Sequence, residues 1–154
     1  MSKKPEWYEL TVRQFIQYPS DLIRLENLQD RLIEKGPSVT AKVSQAPSRS
    51  IGSTSDQTGQ LAAAKAELES EIEELQRHIK GTKRVLEYFG PEEKKLIELK
   101  YMNRFSKDWY VADELHLPLR TYYRMKDDVV AESAVMLGYA KREQVSLWEM
   151  EEWR

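Results

Sequence analysis

Apolar positions recur at helical spacing along most of the chain. From Trp7 to Lys35, Leu22, Leu25, Leu28 and Leu32 fall three or four residues apart, which places them on one helix face. Pro19 is expected to interrupt this stretch, and Ser20 or Asp21 can cap the restart by accepting free first-turn N–H groups. Gly36-Pro37 ends it. From about Gly36 to Gly59 the chain is rich in Ser, Thr, Gly and Pro, and no period is sustained. Such a segment buries too little surface to offset its ordering entropy. It reads as a flexible linker, or as a mobile arm that touches DNA or a partner.

From Gln60 to Phe89 the repeat is clearest. Leu61, Leu68, Ile72, Leu75, Ile79, Leu86 and Phe89 follow alternating three- and four-residue steps, with Lys65 and Thr82 at the two weaker positions. This is a heptad seam of the kind buried between helices. It can pair with its counterpart in a second chain, or fold back on the Leu22–Leu32 helix, since closing a long loop adds little entropy cost. The shorter first helix would leave part of the seam uncovered, and self-association is expected from that residue of apolar surface. The acidic and basic residues between seam positions read as a solvated surface.

Pro91-Glu92-Glu93 opens the next helix, with proline in the first turn and acids at the positive end of the dipole. Leu96, Ile97, Leu99 and Tyr101 supply its buried face. A break is expected at residues 102–105, with Ser106 as the next N-cap. Trp109, Val111, Ala112 and Leu115 give a short helix, and His116-Leu117-Pro118 turns the chain. A further helix runs from Leu119 to Gly138, burying Tyr122, Val129, Val130, Ala134 and Leu137. Helix, short helix, tight turn and helix is the layout of a helix-turn-helix.

Composition narrows the chemistry. The 154 residues contain no cysteine and two histidines, His78 and His116. Disulfides, thiolate catalysis and cysteine-bound zinc are thereby excluded, and a reducing cytoplasm fits. Neither GxGxxG nor GxxxxGK[ST] occurs, so phosphate-cradling loops of those types are absent. No apolar run reaches the ~18 residues of a membrane span, and Met1-Ser2-Lys3-Lys4-Pro5 leads into no secretory signal. Adjacent carboxylates such as Glu73-Glu74 and Asp127-Asp128 diverge by about 100° on a helix, so no catalytic residue, cofactor or metal site is expected. The net charge of −2 does not itself call for nucleic acid. Residues 90–142 hold ten Lys/Arg against nine Asp/Glu, and residues 143–154 hold one against four. A DNA-binding face would have to come from arrangement.

That arrangement is available on the helix opening Leu119-Arg120-Thr121-Tyr122-Tyr123-Arg124-Met125-Lys126. With Tyr122 inward, Arg120, Tyr123, Arg124 and also Asp127 are expected outward. Arginine can donate two hydrogen bonds to guanine, and tyrosine can bond or pack in the major groove. Thr121, Lys126, Ser106, Lys107 and Arg104 are candidates for phosphate contacts.

The stretch from about Val85 to Ala140 resembles the C-terminal region of RinA/ArpU-type phage transcriptional regulators, which in turn resembles sigma factor region 4. The matching segments are Glu92 to Tyr101, Trp109 to Leu115 and Arg120 to Lys126. His116 stands where such motifs often carry glycine, and Pro118 where a Ser/Thr cap is usual. The resemblance implies a late-gene activator in a bacterial host cytoplasm that binds promoter double-stranded DNA, with DNA contact at Arg120, Thr121, Tyr123, Arg124 and Lys126.

The expected architecture is therefore all-α, a long coiled-coil helical region followed by a C-terminal helix-turn-helix domain. Its parts are an N-terminal helical segment 1–35, a linker 36–59, a coiled-coil helix 60–89, the DNA-binding domain 90–140 and an acidic aromatic tail 141–154. The tail, with Trp148 and Trp153 among acids, can dock on a partner such as RNA polymerase or pack back on the chain. The expected partners are promoter DNA and a second or further copy of the chain, a homo-oligomer joined through Leu61, Leu68, Ile72, Leu75, Ile79 and Leu86, without a membrane. Two other readings stay open: a coiled-coil adaptor or assembly protein, and a phage DNA-packaging recognition subunit of the small-terminase kind.

Overall fold

The computed structural model describes residues 3–36, 54–103 and 106–153, with side chains from residue 58 onward in the second stretch. Among the described residues all regular structure is helical: α1 Glu6–Glu34, α2 Thr54–Tyr88, α3 Pro91–Ile97, α4 Asp108–Glu114, α5 Leu119–Leu137 and α6 Arg142–Glu152. A π-helical turn over Glu98–Met102 continues α3 directly. No helix among these residues is long and apolar enough to cross a membrane.

Two boundaries differ from the expected ones. Helix α1 runs through Pro19 without the interruption read from the sequence. An interior proline removes one intrahelical hydrogen bond and costs about 3 kcal/mol. Burial of Trp7, Tyr8 and Phe15 before it and Leu28 after it offsets that cost. Helix α2 begins at Thr54 rather than Gln60. Gly59 weakens a helix by only about 1 kcal/mol relative to alanine, and Ala62, Ala63, Ala64 and Ala66 follow it. The rest of the expected linker, residues 37–53, lies outside the described residues.

The chain divides into two compact units, Ser20–Arg77 on one side and Met1–Pro19 with His78–Arg154 on the other. In the first unit Leu28, Leu68, Ile72 and Leu75 are buried, and Arg24 meets Glu71 at 4.0 Å. Leu68, Ile72 and Leu75 of the α2 seam are thus covered within this unit. Leu22, Ile23, Ile33 and Leu61 of the same unit stay exposed.

The second unit holds two apolar clusters. The larger gathers Trp7, Tyr8, Phe15, Val85, Leu86, Ile97, Tyr101, Val129, Val130, Ala131, Ala134, Ala140 and Val145. Its polar members are satisfied: the Gln14 amide donates to Thr82 Oγ1 at 2.9 Å, and Tyr139 donates to the Gln14 carbonyl oxygen. Thr82, one of the two weak seam positions, is buried for this reason. The smaller cluster joins Leu96, Val111, Ala112, Leu115 and Tyr122, with Leu99, Leu117 and Met125 against it.

The tail forms α6, not a free end. Val145 is buried, and Trp148 meets Trp7 edge-on with ring centroids 5.3 Å apart. Of the two open readings, packing back on the chain is the one observed for Trp148. Leu147 and Met150 remain exposed.

Candidate nucleic-acid interface

The region around α4, α5 and the turn between them carries most of the residues singled out in the sequence. Helix α4 opens at Asp108 with Lys107 as its N-cap and no side-chain cap hydrogen bond, so Ser106 is not the cap that was expected. The Ser106 carbonyl instead accepts from Lys100 Nζ at 3.3 Å. Val111, Ala112 and Leu115 are buried, whereas Trp109 is 64% exposed. At about 100° per residue Trp109 lies some 200° around the helix from Val111, on the side that faces away.

Helix α4 ends in a Schellman motif. Leu117 N–H donates to the Ala112 carbonyl at 2.9 Å, and His116 N–H to the Asp113 carbonyl at 3.0 Å. The residue at the left-handed position is His116, with φ 55°, where glycine would be unstrained. Pro118 then serves as the extended residue before α5, at φ −57°. Helix α5 closes with the same motif, Tyr139 N–H to the Ala134 carbonyl and Gly138 N–H to the Val135 carbonyl, and there Gly138 takes the left-handed position at φ 84°.

Tyr122 fixes the rotation of α5. Its ring is fully buried and its hydroxyl donates to Asp108 Oδ1 at 2.7 Å. Lys100 Nζ reaches the same oxygen at 3.0 Å and Lys126 Nζ at 3.5 Å. Burial pushes the Asp108 carboxyl up, but the Tyr122 hydroxyl and the two lysines outweigh it and hold it below the usual carboxylate range. The Tyr122 phenol moves up, first through burial and then through its bond to Asp108. With Tyr122 inward, Arg120, Thr121, Tyr123 and Arg124 all lie at the surface, as the helical repeat requires.

Two residues depart from the expected face. Asp127 is buried, accepting from Tyr8 Oη at 2.6 Å and from Lys4 Nζ at 3.4 Å. Its place on the outward face holds only for an isolated helix, because the start of α1 covers it. Lys126 folds back over the Tyr123 ring, 5.0 Å from the centroid, and its side chain is 15% exposed. Burial lowers its ammonium pKa, against the attraction of Asp108. Lys107 is exposed and Ser106 half-buried. Arg104 lies outside the described residues.

Of the seam residues, Leu68, Ile72, Leu75 and Leu86 are buried, Ile79 is half-buried and Leu61 is exposed. The residues that sequence reasoning did not single out are Asp108, Lys100, Tyr8 and Lys4, which hold α5 in place. Their partners are up to 123 positions away, and no local spacing marks such pairs. No group of three or more potential metal ligands occurs among the described residues.

Compared with known proteins, the chain matches no family model, no curated protein and no solved structure.

Proposed function

We propose that the chain is a sequence-specific double-stranded DNA-binding regulator. Helices α4 and α5 form its helix-turn-helix, and the first turns of α5 enter the major groove. The observation that carries this reading is the exposed set Arg120, Thr121, Tyr123 and Arg124 on a helix that Tyr122 and Asp108 lock from behind. Arg120 and Arg124 supply guanine-reading forks, Tyr123 a groove contact, and Thr121 and Lys107 phosphate contacts. Lys126 acts inside this scheme by holding Asp108 rather than by reaching DNA. The segments Glu92 to Tyr101, Trp109 to Leu115 and Arg120 to Lys126, which resemble the RinA/ArpU-type regulators, support promoter binding and late-gene activation as the biological setting, with RNA polymerase as a further partner.

Assembly into a homo-oligomer is part of the same proposal. Its support is the exposed apolar set Leu22, Ile23, Ile33 and Leu61 in the unit built on the α2 seam. Two linked modules would combine weak single-site contacts through high effective concentration. Light scattering on the Leu61→Asp variant tests it: an unchanged mass for a chain that self-associates removes Leu61 from the contact.

The test of DNA reading is selection of bound duplexes from a random double-stranded pool, beside an Arg120→Ala/Arg124→Ala control. An enriched motif that the control loses is the expected result, with affinity that falls steeply as salt rises. No enrichment by either protein would overturn the proposal in favour of a coiled-coil adaptor, a reading that the near-balanced charge of residues 90–142 also suits.

A further inference from the structure

Arg124 does not stand alone on its face. It borders a groove of about 310 Å³ between α5 and α6 whose other walls are Asp128, Ser146, Glu149, Met150 and Trp153. It also borders a second groove, of about 620 Å³, that shares Asp128 and includes Glu93 and Glu132. Asp128 follows Arg124 by four residues on α5, the spacing at which opposite charges meet on a helix. Glu149, from α6, lines the same groove as Asp128. The N-terminal end of α6 is held close by Arg142, which forks onto Glu132 at 2.6 and 2.9 Å. A guanidinium meant for generic phosphate contact would not share its grooves with carboxylates, because a phosphate oxygen approaching it meets their charge inside a Debye length of about 8 Å. A guanine edge carries no net charge and meets no such repulsion.

We infer that Asp128 and Glu149 are specificity-determining residues of the reading face. Their charge beside Arg124 in the α5–α6 groove keeps it from backbone phosphates, so that it is spent on base edges. Arg120, at the start of α5 and outside both grooves, is free of this restriction. The inference rests on the DNA-reading proposal and adds a division of labour between its two arginines.

The test measures binding of the full chain to the selected duplex and to a scrambled duplex across salt concentration. The proteins are wild type, Glu149→Gln, Asp128→Asn/Glu149→Gln, and that double variant with Arg124→Ala. The substitutions keep side-chain shape, and thermal melts verify folding. Scrambled-duplex affinity should rise about threefold to tenfold in the double variant, and its salt slope should steepen by about 0.9, the value of one added phosphate contact. Affinity for the selected duplex should change less than twofold, and Arg124→Ala should cancel the gain. Glu143→Gln, an exposed α6 acid outside the groove, should leave the ratio unaltered. Equal gains on both duplexes, gains that survive Arg124→Ala, or no gain at all would overturn the inference while wild-type selectivity leaves the DNA proposal standing. If wild type binds neither duplex, the DNA proposal falls, and this inference with it.

Discussion

In its rear turns α5 buries Asp127, Val129, Val130, Ala131, Ser133 and Ala134, whereas in its first two turns only Tyr122 is buried and Arg120, Thr121, Tyr123 and Arg124 stay at the surface. The helix is continuous and its backbone regular, so the contrast comes from what packs on each half. The rear half is enclosed by α1, α2 and α6 through the larger apolar cluster, and the front half is backed by the smaller cluster around Leu96 and Val111, with Met125 touching both. Under the proposed function, stability and recognition fall to different turns of one helix, and substitutions in the two halves should separate the two properties.

The widest separation is expected between Val130→Ala and Arg120→Ala. Val130 is fully buried, and deleting its two methyl carbons should cost about 2–3 kcal/mol from lost transfer energy and the cavity left behind. Arg120→Ala should alter stability by less than about 0.5 kcal/mol, as surface substitutions do, while lowering affinity for the selected duplex by about 1–3 kcal/mol. Urea denaturation and DNA titration of both variants check this. A shared loss of stability would mean that the front half is also structural.

Asp108 gives the next effect, because it carries the link between the halves. Asp108→Asn removes the charge that Lys100 and Lys126 share and should cost about 1–2 kcal/mol at pH 7, a charge-assisted bond discounted for partial exposure. The sign with pH follows from a lowered carboxyl pKa. Its contribution is complete above the unfolded value of about 3.9 and is lost as pH falls through the lower folded value. The stability gap between wild type and Asp108→Asn should thus be open at pH 7 and close below about pH 4. A gap that widens in acid would show that the lysines, not Asp108, dominate this network.

The same contrast explains what was legible in the sequence. Pro91, Leu96, Ile97, Tyr122 and the end at Gly138 were readable because local signals set them: a proline at the first turn, a 3.6 period and a glycine cap. All-helical architecture followed from those signals, as did the exposure of Arg120, Tyr123 and Arg124 once Tyr122 faced inward. Asp127 was not readable, since the hydroxyl that buries it belongs to Tyr8, 119 positions away. The continuation through Pro19 was hidden for the same reason, as tertiary burial on both sides overrides a local breaker. Lys126 looked like a phosphate ligand until Asp108, from another helix, claimed it.

The two Schellman motifs that bound α5 allow a smaller, paired prediction. His116 precedes the front half at φ 55° and Gly138 follows the rear half at φ 84°. A left-handed conformation strains a residue with a Cβ by roughly 1–2 kcal/mol, partly offset by the extra unfolded-state entropy of glycine. His116→Gly should stabilise the chain by about 0.5–1 kcal/mol, and Gly138→Ala should destabilise it by about 1 kcal/mol, although the glycine has open space where a Cβ would sit. Thermal melts of the two variants check the pair. A destabilising His116→Gly would mean that the imidazole makes a contact worth more than the strain.

The finest effect lies where the halves meet, at Asp128. Burial raises the Asp128 carboxyl despite Arg124, and burial with the charge of Asp128 raises Glu149. A carboxyl whose folded pKa lies above its unfolded value favours the native state when protonated, and that advantage is lost as pH rises through the folded value. Once both groups are ionised, their like charges work against the α5–α6 contact. Glu149→Gln should therefore raise stability at pH 7 by no more than about 0.5 kcal/mol, and the gain should shrink as pH falls and the wild-type carboxyls take up protons. A loss of stability at pH 7 would mean that Glu149 makes a favourable contact as a carboxylate. Arg124 would then be the partner to examine, since it is the cation that shares their groove.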